Sequence, residues 1–216
     1  MQTNLIQTVI ENKFSYLSQA ALKNLQDAVE RTNKLEGILV EAGCAMGGSS
    51  MVIAQAKSAA KNFYIYDVFG MIPPPSDKDG KDVHERYKII SEGKSRGIRG
   101  REYYGYITNL LDVVKSNFDG CGVNRDAHVH FVQGLYQDTM NITSDVSFAH
   151  IDCDWYESVT LCLHQIIPHL VSGGEVIVDD YHTWSGCRKA VDEYFIEERK
   201  SEFQLYFDER LHIVKL

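Results

Sequence analysis

The chain of 216 residues has no apolar run approaching the roughly 18 residues that mark a membrane span. No basic segment followed by a long apolar stretch opens it, so no signal peptide is expected. It has no Gly-Lys-Ser/Thr sequence, which excludes a phosphate-cradling P-loop. It has no Cys-x-x-Cys pair: Cys44, Cys121, Cys153, Cys162 and Cys187 are odd in number and scattered. They read as reduced, buried thiols of a cytoplasmic protein. Basic residues are in deficit, 22 against 30 acidic, and the formal net charge is −8. That balance argues against nucleic acid or an anionic membrane as partner, because phosphate contacts need clustered Lys and Arg. Internal repeats and low-complexity linkers are absent too, so residues 1–216 are read as one domain.

What is present alternates. Leu5, Ile6, Val9 and Ile10 make one apolar helix face, and Leu17, Ala21, Leu22, Leu25, Ala28 and Val29 make a second. Residues 1–35 are therefore taken as N-terminal helices. "GILVEAG" is a strand breaking into glycine, and "SSMVIAQAKSAA" the helix that follows. "NFYIYDVFG" is a second strand ending at Asp67, and "HVHFVQG" a third, preceded by the helix "YITNLLDVVKSNF". "SFAHIDCDWY" and "GGEVIVDDYH" supply a fourth and a fifth, with one helix between them. "RKAVDEYFIEE" is a helix, and "EFQLYFDERLHIVKL" two strands about a turn at Asp208–Arg210. Strand and helix in alternation predict an α/β, doubly wound, mostly parallel sheet. The short closing link forces an antiparallel hairpin. Residues 73–105 break the pattern, opening on "PPPSDKDGKD" with a short helical stretch near His84–Ile90. They are expected to form a lid or cap outside the sheet.

Two features carry chemistry. "VEAGCAMGGSS" ends a strand in glycines and offers free helix N–H groups. Its spacing is not G-x-G-x-x-G. With Asp67 at the end of the next strand, where an acid hydrogen-bonds a ribose in doubly wound folds, it predicts an adenosine-containing cofactor. The second feature is acidic. Asp152 ends one buried strand and Asp179 and Asp180 end its parallel neighbour, about 5 Å away. Like charges so close raise one another's pKa unless a cation joins them, and a hard divalent cation with oxygen ligands is the simple solution. Asp154 heads "DWYE", a capping-box pattern, so a helix cap competes with a site role there. His182 lies just past Asp180 and is a candidate base. The remaining histidines show no ligand spacing, and Tyr103, Tyr104 and Tyr106 are read as core packing before ring platform.

Taken together, "EAGCAMGGSS", "YDVFGMIPP", "REYYGY", "VQGLYQDT", "IDCDWYES" and "VIVDDYHTWSGCRKAVDEYF" resemble the macrocin O-methyltransferase (TylF-like) family. The resemblance spans nearly the whole chain after the N-terminal helices. It implies a Rossmann-like class I methyltransferase fold with a seven-stranded sheet, and dependence on S-adenosylmethionine and Mg2+. It also implies a small-molecule hydroxyl acceptor, a sugar or glycosylated natural product, and a homo-oligomer. By position, Glu41 and Gly43 would hold the methionine amine, Ser49 and Ser50 its carboxylate, and Asp67 the ribose. Tyr136 and Gln137 would flank the adenine, and Asp152, Asp179 and Asp180 match the metal positions. The chain is shorter before its glycine turn than the antibiotic-tailoring members. Cys153, between two aspartates, should point away from the metal if they point toward it.

In the implied reaction a cation-bound hydroxyl attacks the sulfonium methyl while a carboxylate or His182 takes the proton. The base stays open among Asp152, Asp154 and His182. Three rivals remain. A metal-dependent glycosyltransferase would use Asp152-Cys153-Asp154 as a DxD motif. A nicotinamide-dependent dehydrogenase would explain the glycine turn but not the carboxylates. A non-catalytic cofactor-binding protein would keep the fold without the transfer.

Overall fold

Seven strands form one sheet in the order β3-β2-β1-β4-β5-β7-β6. The computed structural model describes residues 4–125, 128–196 and 200–216. The parallel strands are β1 (Ile38–Ala42), β2 (Phe63–Asp67), β3 (Val129–Gln133), β4 (Val146–Ile151) and β5 (Leu170–Val178). The closing hairpin, β6 (Phe203–Asp208) and β7 (Arg210–Lys215), turns on Glu209 at φ 61° and joins β5 through antiparallel β7. This is the doubly wound sheet with an antiparallel hairpin expected from the sequence.

Residues alternate across the strands, so both faces are buried. On one face Leu39, Phe63, Ile65, Phe148 and Ile177 pack against α2 (Gln19–Thr32), α3 (Gly48–Ala56) and α5 (Leu110–Gly120). On the other, Val40, Ala42, Ile151, Val176 and Val178 pack against α7 (Tyr156–Ile166) and α8 (Ser185–Tyr194). The sheet interior also holds an ionic pair of rungs. Glu175 of β5 receives Arg31 of α2 at 2.9 Å and His212 of β7 at 2.6 Å, and all three join the last strands to the N-terminal helix.

The segment of residues 73–105 contains no strand of the sheet and carries α4 (Lys81–Ser91) and a short 3-10 turn at Ile98–Gly100, with another at Tyr104–Tyr106. Ile72, Val83, Ile90 and Tyr103 bury a small core of their own against Trp155. Two acids fasten the segment to the body. Asp82 accepts from the Ser185 backbone at 2.9 Å and from its hydroxyl at 2.5 Å, and Asp79 accepts from the Tyr156 backbone at 2.8 Å.

Some boundaries differ from expectation. α5 starts at Leu110, because Tyr104–Tyr106 close a 3-10 turn instead. α8 starts three residues earlier than read, at Ser185, and ends at Tyr194. Glu197 and Glu198, at the end of that predicted helix, lie outside the described residues. Cys121 is only half-buried, whereas Cys44, Cys153, Cys162 and Cys187 are buried free thiols. Among the described residues no helix is long and apolar enough to cross a membrane.

Candidate active site

Strand order reverses between β1 and β4, the point at which open α/β sheets bind ligands beyond their carboxyl ends. The ladder sets what meets there. Ala42 pairs with Ile151 and Ile151 with Val178, so Gly43, Asp152 and Asp179 leave the sheet side by side. The Asp152 N–H donates to the Ala42 carbonyl at 2.8 Å, and the Asp179 N–H to Ile151 at 2.9 Å. Gly43 has φ 99°, and a Cβ there would lie 1.7 Å from the Asp152 carbonyl oxygen. Only glycine fits so close an approach.

Oxygen atoms of Asp152, Asp179 and Asp180 lie within 4.8 Å of one another. Burial pushes the Asp180 carboxyl well above the ordinary carboxylate range, and its acidic neighbours Asp154, Asp152 and Asp179 add to the rise. Asp152 is raised likewise, by burial first and then by Asp179, Asp154 and Glu41. Asp180 Oδ2 is buried without a hydrogen-bond partner. A buried carboxyl oxygen without a partner is costly, and the three acids together make an all-oxygen donor set suited to a hard divalent cation. One of the three acids is already balanced: the Arg210 guanidinium pairs with Asp179.

Asp154 is not the cap of α7, contrary to the capping-box pattern. Its backbone sits at φ 60°, Trp155 occupies the N-cap position without a side-chain bond, and Asp79 of the excursion caps the helix by accepting from Tyr156 N–H. The Asp154 carboxylate is instead free to face the cavity, where Trp184 Nε1 donates to it at 2.8 Å. Burial raises its pKa to about 6, against that hydrogen bond. Cys153 points away, into the core beside Cys162, with 4.0 Å between sulfurs.

Two joined cavities open above these groups. The larger, about 310 Å³, is walled by the acids, by Tyr16 and Leu17 of the N-terminal segment, by Arg86, Tyr103 and Tyr104 of the excursion, and by Trp155 and Trp184. The smaller, about 60 Å³, shares Gly43, Asp67, Asp152 and Asp154 with it and adds Leu135, Tyr136 and Gln137. Asp67 is buried where the two meet. Its carboxylate accepts from the Cys44 N–H at 2.6 Å and the Ala45 N–H at 3.3 Å, which ties the glycine turn to β2.

Several residues singled out in the sequence lie elsewhere. Glu41, Ser49 and Ser50 are buried behind the turn and border neither cavity. Glu41 accepts from the Ser50 hydroxyl and meets His150 Nδ1 at 3.0 Å. His182 is exposed and stacks on Phe207, 4.3 Å between ring centres, outside the cavity. Tyr103 does pack in a core, as read, but Tyr103 and Tyr104 also line the larger cavity. Sequence reasoning missed Tyr16, Arg86, Trp155, Trp184 and Arg210. For Arg210 a signal existed: β7 runs antiparallel to β5 with Leu211 opposite Val178, which sets Arg210 against Asp179.

A sequence model of the family described as macrocin-O-methyltransferase (TylF) matches residues 11–205. The 8-demethyl-8-(2,3-dimethoxy-alpha-L-rhamnosyl)-tetracenomycin-C 4'-O-methyltransferase of Streptomyces olivaceus is 33% identical over 181 residues, which cover 80% of this chain and 64% of that protein. The demethyldecarbamoylnovobiocin O-methyltransferase of Streptomyces niveus is 27% identical over 197 residues, 85% of this chain and 68% of that protein. The chain thus spans about two thirds of the length of these curated relatives. Among solved structures, that of the O-methyltransferase NovP superposes with a TM-score of 0.75 at 24% identity, covering 94% of this chain and 81% of that one. The fold is that of the class I O-methyltransferases.

Proposed function

The chain belongs to the macrocin O-methyltransferase (TylF) family, and on that premise we propose that it is an S-adenosylmethionine-dependent O-methyltransferase. We infer further that it uses a divalent cation, Mg2+ or a similar ion, and methylates a hydroxyl of a sugar or glycosylated natural product. The observation that carries the cation is Asp180 Oδ2, a buried carboxyl oxygen without a hydrogen-bond partner on an acid grouped with Asp152 and Asp179. Asp152, Asp179 and Asp180 would hold the ion. Its chemistry there would be to stabilise negative charge on the acceptor oxygen.

The chain's own residues do the rest. Gly43, lacking a side chain, lets the glycine turn lie against the Asp152 backbone, so that a cofactor on the turn would sit beside the carboxylates. The smaller cavity suits the adenosine end, with Asp67 toward the ribose and Tyr136 and Gln137 toward the base. Glu41 and the Ser49–Ser50 pair support the turn from behind and would act on the methionine end through it. The larger cavity takes the acceptor, and residues 73–105 close over it and exclude water. Bound S-adenosylmethionine would supply the methyl group and be left as S-adenosylhomocysteine; Asp154 would take the proton that the acceptor hydroxyl gives up. We place Asp154 in that role because it faces both cavities and stands outside the triad. Asp152 faces the same space but has a ligand's work, and His182 is turned away. Buried free thiols are in keeping with a cytoplasmic enzyme.

The test is methyl transfer from labelled S-adenosylmethionine to a panel of glycosides and catechols, before and after chelation by EDTA. Loss in EDTA and recovery with Mg2+ is expected. Undiminished transfer in EDTA removes the cation from the reading. Binding of a nucleoside-diphosphate sugar without S-adenosylmethionine would instead favour the DxD glycosyltransferase.

A further inference from the structure

We propose that the acceptor is anionic, and that Arg86 recognises its negative group while the hydroxyl to be methylated lies at the carboxylates. The inference rests on the acceptor cavity assigned above. Arg86 is half-buried on α4 and lines that cavity from the excursion, on a wall separate from the strand ends. Its Nη2 donates to the Ser95 hydroxyl at 2.9 Å, and its guanidinium carbon lies 5.7 Å from the centre of the Tyr103 ring. Ser95 is fixed in turn: its N–H donates to the Tyr106 hydroxyl at 3.0 Å, and that hydroxyl donates to the Ile90 carbonyl at 2.7 Å.

What this braced cation lacks is an acid in contact: Asp154, on the same cavity, feels its charge only through space and makes no ion pair with it. Among the described residues Arg86 forms no ion pair. The nearby acids of the excursion have other work: Asp79 caps α7, Asp82 holds Ser185, Glu85 pairs with Lys81, and Glu92 pairs with Lys94. Arg210, the other guanidinium on the cavity wall, is taken by Asp179. A guanidinium presents five donors in a planar fork that matches a carboxylate or a phosphate, and only one of Arg86's is used by a side chain described here. Its setting against the Tyr103 face further favours a fixed, partly desolvated charge. A cavity of about 310 Å³ is at the lower end for small-molecule sites and suits an acceptor whose anion lies on the sugar itself or close to it. A uronate carboxylate and a sugar phosphate share that chemistry.

The experiment titrates the protein, with Mg2+, with a methyl glucuronide, glucose 1-phosphate and methyl glucoside, each with and without S-adenosylhomocysteine. At least one anionic sugar should bind about tenfold more tightly than the neutral one, the scale of one charge-assisted hydrogen-bond set. Arg86→Gln should remove that preference and leave methyl glucoside binding in place. Preference for the glucuronide alone or for the phosphate alone identifies the anion. Equal binding of all three sugars, no binding of either anionic sugar, or equal loss of all three in Arg86→Gln each overturns the proposal. Failure to bind S-adenosylhomocysteine, read in the same titrations, counts against the methyltransferase reading and not against this one, since the sugar series is also run without it.

Discussion

Arg210 meets Asp179 because Leu211 faces Val178 across the antiparallel β5–β7 ladder, so the residue that follows β5 lands opposite the first residue of β7. A hairpin at the end of the chain thereby supplies the counter-charge to an acid at the sheet's ligand-binding edge. Without it three carboxylates would face one another with no cation from the protein.

Replacing Arg210 by Met should therefore destabilise the cation-free protein by about 1–3 kcal/mol, less than a fully buried pair because both partners touch solvent. Mg2+ should recover more of the loss than it adds to the native protein. Thermal melts in EDTA and in Mg2+ measure both. An equal Mg2+ shift in the two proteins would show that Arg210 does not share the work of the ion.

Asp180→Asn has the opposite sign without the ion. An amide removes a buried like charge at nearly constant volume, so the cation-free protein should gain about 1 kcal/mol. The stabilisation by Mg2+, which follows from binding to the folded state alone, should vanish along with methyl transfer. A variant that melts lower in EDTA would mean that Asp180 is structurally satisfied.

Glu175 predicts a pH dependence far from the site. Burial would raise its pKa, but the hydrogen bond from His212 and the charge of Arg31 outweigh burial and hold it below the ordinary glutamate value. A depressed acid stabilises the fold above its unfolded value, near 4.3, and loses that contribution as pH falls through the folded value. Glu175→Gln should cost about 2–4 kcal/mol at pH near 7 by urea unfolding, as expected for a broken buried pair. The gap should close below about pH 4. A gap constant with pH would assign the effect to packing.

Asp79→Ala should uncouple the excursion from the body. It removes the only side-chain acceptor described for the Tyr156 N–H, at about 1 kcal/mol for a lost cap, and frees the segment that Asp79 also folds through Ser76. Limited proteolysis within residues 80–105 should accelerate while the sheet stays protected. Unchanged cleavage would show that Asp82 and Ser185 hold the segment alone.

The strand-end acids were legible because buried strands are apolar up to their last residue, and a carboxylate directly after one has few other places to be. The cap alternative for Asp154 failed for a definite reason. The local pattern Asp-Trp-Tyr-Glu matches a capping box, but the acceptor for the helix comes from Asp79, 77 residues earlier. A pattern read along the chain cannot register a hydrogen bond that only tertiary packing creates. Tyr16 and Arg86 were hidden likewise: they reach the cavity from segments outside the sheet, whose placement no strand register fixes. Glu41, Ser49 and Ser50 lie behind the turn and line neither cavity, and turn residues of the right type can brace a site as well as line it.

The contact at Gly43 has a thermodynamic consequence. With no room for even a methyl group between the glycine turn and the Asp152 carbonyl, the two loops cannot shift independently. A cofactor that moves the turn would be felt at the carboxylates, and a cation held by Asp152 would be felt by the turn. By reciprocity two such ligands would change each other's affinity by the same factor, so that at this junction the order of loading would alter the path but never the total.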